Sequence, residues 1–112
     1  MQIVRVFSGD DGESHFEDLT TDQFRKFVAL AGEGSVDLIS RASPSFSDFH
    51  TAPRRQYVVM MAGTVEFENA DGTKRRLAAG DVLVAEDMTG RGHLARGIGP
   101  EQRVMLAVPL PD

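Results

Sequence analysis

Beyond Pro44 the chain is a succession of short apolar or alternating runs. Each is stopped by glycine or an Asp-Gly type turn, at a spacing of roughly 8–12 residues, and such punctuation points to an antiparallel sandwich or small barrel. Residues 56–61, QYVVMM, end at Gly63. Residues 64–68 alternate strictly, with Val65 and Phe67 on one face. Asn69-Ala70-Asp71-Gly72 is a tight-turn signal, Asp-Gly tolerating positive φ, and residues 74–77 return as the hairpin partner. Gly80-Asp81 turns the chain into an apolar run at 82–85, and residues 93–96 and 103–108 add two more strands. Upstream, residues 3–7 and 36–41 read as strands. Residues 20–31 are the one helical stretch, with Phe24, Phe27, Val28 and Ala31 at i, i+3, i+4 and i+7. Thr20 with Gln23 forms a capping box, and Gly32 is the expected stop.

At 112 residues the whole chain, 1–112, is expected to be one domain. Lys plus Arg is 12 and Asp plus Glu is 17, a net charge of −5, which lacks the electrostatic footprint of a nucleic-acid or anionic-membrane binder. No apolar run approaches the ~20 residues of a membrane span, and residues 1–14 do not read as a secretory signal. A cytoplasmic location is expected by elimination. Cysteine is absent, so disulfides, thiolate metal sites and a Cys nucleophile are excluded together.

Without Cys, a transition-metal site must use His, carboxylates or amides, and the three histidines are His15, His50 and His93. His50 opens HTAPRRQYVVMMAG, ending at Gly63; His93 follows GDVLVAEDMTGRG, beginning at Gly80. In these two segments the chain resembles the small single-domain cupins. His50 falls on the first His of their first motif, Gln56 on its Glu and Gly63 on its closing Gly. Gly80 matches the opening of the second motif, and His93 serves as its His. Ala52 stands where the first motif has its second His, Glu86 replaces the Pro of the second, and two extra residues precede His93. The motif resemblance covers about residues 46–110. SHFED, HTAPRRQYVV and AEDMTGRGH extend it toward short bacterial cupins without an assigned function.

The resemblance implies an all-β, cupin-like jelly-roll barrel with one short helix in the N-terminal half. It reduces the usual ligand set to His50, Gln56 and His93. Strand parity bears on the same trio: Gln56, Val58 and Met60 share one face, the resemblance assigns that face to the barrel interior, and an amide among Val and Met there must be hydrogen-bonded or ligating. Two imidazoles and an amide suit a divalent transition metal, Fe, Ni, Zn or Cu, rather than Mg or Ca.

Around that trio, an Arg54 guanidinium could clamp a carboxylate or phosphate of a small ligand. Arg55 points to the opposite face by alternation, and both could equally be solvated or interface ion-pair partners. Arg41 could face the cavity. Glu86 is the candidate catalytic base at the barrel mouth, or else an extra ligand, an outer partner of His93 or a solvated turn residue. Asp87 reads as a solvated turn residue and His15 as a surface residue. Tyr57, Val59 and Met61, on the face opposite Gln56, are expected to support a homodimer. Two functions remain open: a metal-dependent enzyme on a small polar or acidic metabolite, and a small-molecule binding or sensor module without turnover.

Overall fold

The computed structural model describes residues 1–30 and 34–111. The chain forms β1 (Ile3–Ser8), β2 (Ser14–Asp18), α1 (Thr21–Ala29), β3 (Asp37–Arg41), β4 (Ser45–His50), β5 (Gln56–Ala62), β6 (Thr64–Asn69), β7 (Lys74–Ala78), β8 (Val82–Glu86), β9 (His93–Ile98) and β10 (Arg103–Pro109). Among the described residues it is an all-β fold of two sheets with one short helix. One sheet has the order β2-β1-β8-β5-β10-β3 and the other β4-β9-β6-β7. Within these, β3-β10-β5-β8 and β4-β9-β6-β7 make the eight-stranded double Greek key of a jelly roll. The β1–β2 hairpin extends the first sheet, with β1 parallel to β8.

Period-two alternation sorts the strands onto the core. Gln56, Val58 and Met60 are buried along β5, as are Val65 and Phe67 on β6. Val4, Val6, Val58, Met60, Leu83, Ala85, Met105 and Ala107 of the larger sheet form a single cluster with Val65, Phe67, Leu77 and Ala95 of the smaller. The β6–β7 hairpin turns at Asp71-Gly72, with Gly72 at φ +88°.

Helix α1 starts at the capping box expected from Thr20 and Gln23. The Gln23 amide donates to Thr20 Oγ1 at 3.1 Å, and the Thr20 amide to Gln23 Oε1 at 2.8 Å. It ends at Ala29, shorter than the 20–31 stretch; the proposed end residues Ala31 and Gly32 lie outside the described residues. Phe24 meets Tyr57 edge-on at 5.2 Å between ring centroids. Tyr57 thus packs against this chain's own helix. Two strands, β2 and β4, went unread in the sequence, and β4 matters most because His50 ends it.

Candidate functional site

Between the sheets lies a cavity of about 320 Å³. Ile39, Val58, Phe67, Leu83, Ala85 and Met105 give it apolar walls; its polar lining comes from His50, His93, Gln56, Arg41 and Arg103, with Ser47 and Thr51. Among the described residues no carboxylate belongs to that lining.

The two histidines meet because β4 and β9 pair antiparallel with His50 opposite His93. Gly92 permits this approach. It sits at φ +76°, and a Cβ there would run into the backbone of His50. The imidazole centroids are 4.8 Å apart, tilted by 57°. His50 Nδ1 lies 2.7 Å from the Asp48 carbonyl oxygen. A carbonyl only accepts, so Nδ1 carries the proton, and in the neutral ring Nε2 is the nitrogen with the lone pair. His93 Nδ1 lies 2.6 Å from Asp87 Oδ2, which also accepts from Ser14 Oγ at 2.7 Å. The Asp87 carboxyl fixes the ring's orientation in the same sense, and Phe67 packs edge-on to it at 5.6 Å. Among the described residues neither Nε2 has a protein hydrogen-bond partner.

Asp87 corrects the sequence reading. Instead of a solvated turn residue it is fully buried, tied through its side chain to β2 and β9, while its carbonyl accepts from the Ala52 amide at 3.0 Å. Among the described residues its Oδ1 is buried without a partner.

Glu86 is the second correction. It was expected at the barrel mouth, but Leu83 and Ala85 face the interior, so alternation sends Glu86 outward. There it accepts from Arg5 Nε at 2.6 Å and from Arg55 Nε and Nη2 at 2.8 and 2.6 Å. Burial alone would raise its carboxyl; the hydrogen bonds and charges of Arg5 and Arg55 override that and hold it below the usual glutamate value. These groups border a separate cleft of about 400 Å³ beneath α1, with Leu19, Phe27 and Leu30. Glu86 therefore cannot serve as the base of the His50–His93 cavity.

Gln56 is buried, and its amide oxygen accepts from Arg54 Nε at 3.1 Å. Arg54 does not line the cavity; it bridges Gln56 and Asp37, whose Oδ2 is 3.4 Å from Nη2. Arg41 does line it. His15 is held by Asp11 in the N-terminal turn, away from the cavity; the Asp11 hydrogen bond raises its imidazole pKa. Among the described residues no three His, Cys, Asp or Glu side chains form an ion-binding cluster.

Sequence reasoning missed Arg103. It opens β10 directly opposite Arg41 of β3, is only 5% exposed, and its Nε is buried without a hydrogen-bond partner. Burial, with the charge of Arg41 adding to it, pushes its guanidinium below the usual arginine pKa. The available signal was parity: Arg103 shares a face with Met105 and Ala107, both buried.

No protein-family model and no curated protein matches this chain. Among solved structures it is similar to protein NMB1881 from Neisseria meningitidis, at 14% identity and a TM-score of 0.44, covering 80% of this chain and 97% of that one.

Proposed function

We propose that this chain is a small cupin-like protein that takes a small polar or acidic metabolite into the inter-sheet cavity, beside a divalent transition metal held by His50, His93 and Gln56. The observation that carries the reading is the histidine pair: two adjacent imidazoles at one cavity, each with Nδ1 bound to an oxygen and Nε2 left open. Metal-ligating histidines are oriented by outer partners in this way. The Gln56 oxygen is engaged by Arg54 but has a second lone pair. The donors therefore fit an imidazole-loving ion such as iron, nickel, copper or zinc, with water or ligand oxygens completing the shell. A bound ion would supply Lewis-acid polarisation of a ligand oxygen. The chain's own groups do the rest: Asp87 and the Asp48 carbonyl orient the rings, and Val58, Phe67, Leu83 and Met105 offer an apolar wall to the ligand's body.

A non-catalytic binding or sensor module is the second reading, favoured by the purely cationic, amide, hydroxyl and imidazole character of the polar groups that the described residues give the cavity. The same proposal makes the protein a cytoplasmic homodimer. Metal content by plasma mass spectrometry tests the ion: near-stoichiometric metal in the parent, lost in His50→Ala and His93→Ala. Unchanged content in both variants would leave the binding-module reading.

A further inference from the structure

We propose that Arg103, with Arg41 beside it, is the anion anchor of this cavity, and that the ligand is a small organic carboxylate with an apolar body. The proposal rests on the cavity being the binding site, but not on the metal.

The two arginines are cross-strand neighbours on β3 and β10, an arrangement in which like charges repel. Among the described residues neither has an acidic partner within ion-pair distance: the Arg41 Nη1 donates only to the Ser40 carbonyl at 3.2 Å, and the Arg103 Nε donates to nothing. Arg103 is also held in place. Gly63, at φ +79°, lies so close that a Cβ there would come within 2.9 Å of the Arg103 Cα. A guanidinium on a buried side chain, its Nε unpartnered and no counter-charge beside it, is costly in the ligand-free protein, and an oxyanion placed against it would remove that cost.

The rest of the cavity selects the kind of anion. Arg103 follows the turn that leaves β9, whereas His93 opens β9, so the guanidinium and imidazole groups enter the cavity from opposite ends of that strand. The wall between them is Ile39, Val58, Phe67, Leu83, Ala85 and Met105. A free phosphate would be charged all round and would leave this wall unused. A carboxylate on a hydrocarbon or aromatic body places its one charge at the guanidinium fork and its body on the wall.

The test uses chelator-treated protein, so that the metal plays no part. Thermal shift and calorimetry are run with benzoate and butyrate, with their neutral amides, and with inorganic phosphate, on the parent, Arg103→Met and a distant surface control, Arg25→Met. The carboxylates should stabilise the parent and the control while the amides and phosphate do not. Arg103→Met should lose affinity about tenfold or more, as expected for hydrogen bonds to a charged group. Ligand-free Arg103→Met should be at least as stable as the parent, because it removes a buried unpaired charge. Carboxylate binding that survives in Arg103→Met, its absence from the parent, or a less stable ligand-free Arg103→Met would each overturn the anchor. A phosphate shift that depends on Arg103 would overturn the carboxylate assignment. None of these outcomes alters the metal content of the histidine variants, so the anchor and the metal reading fail separately.

Discussion

Asp87 shows how much one buried side chain can organise. A single carboxyl oxygen receives both Ser14 Oγ and His93 Nδ1, joining the start of β2 to the start of β9 beneath the cavity. In Asp87→Ala both donors lose their acceptor, and loss of a buried hydrogen bond to a charged group costs roughly 1.5–3 kcal/mol. The variant should unfold at lower denaturant, and nitrogen NMR of His93 should show the proton no longer confined to Nδ1. Unchanged stability together with an unchanged tautomer would mean that Asp87 does not position the ring. Little of this was legible beforehand. Asp87 sits in AEDMTGRG, where acidic and glycine-rich composition reads as a solvated turn, and nothing local reveals that Ser14, 73 residues away, arrives above it. The Gln56 position was readable because parity with Val58 and Met60 is a local property. Arg103 obeyed the same parity but was overlooked, since arginine is ordinarily an exposed residue.

At the scale of elements, alternation and turn chemistry carried the reading wherever one face of a strand is apolar. Strands β5 to β10 fall close to their expected spans for that reason. Strands β2, SHFED, and β4, SFSDFH, are mostly polar and half-exposed edge strands, so their sequences carry no buried stripe; pairing with β1 and β9 makes them strands. Glu86 ties elements together on the far side of the larger sheet, linking the end of β8 to Arg5 of β1 and Arg55 at the start of β5. Its carboxyl pKa is depressed in the folded chain, so its stabilising effect is present above the unfolded value of about 4.3 and is lost as pH falls through the lower folded value. Acid unfolding of the parent should therefore steepen below about pH 4.3 relative to Glu86→Gln, which has no such proton to take up. Parallel stability curves for the two proteins across that window would show that the Arg5–Glu86–Arg55 cluster contributes nothing.

For the molecule as a whole, the two sheets close over an apolar core yet leave large side chains outside. Leu38 is 67% exposed on β3, Phe46 61% on β4 and Met61 55% on β5. β3 and β4 are edge strands of different sheets, consecutive in the chain, so one flank of the jelly roll combines open strand edges with exposed apolar groups. A homodimer formed on that flank should appear in sedimentation at micromolar concentration and shift toward monomer in Leu38→Asp; a strictly monomeric parent would contradict it.

The central claim is that the inter-sheet cavity at the His50–His93 pair is where this protein works. Diffraction from untreated protein crystals, with anomalous data collected across the iron, nickel, copper and zinc edges, tests it most directly. The account predicts one anomalous peak bound by His50 Nε2 and His93 Nε2 within the cavity. An anomalous peak bound elsewhere, or His50 and His93 on opposite sides of the sheet wall, would contradict it.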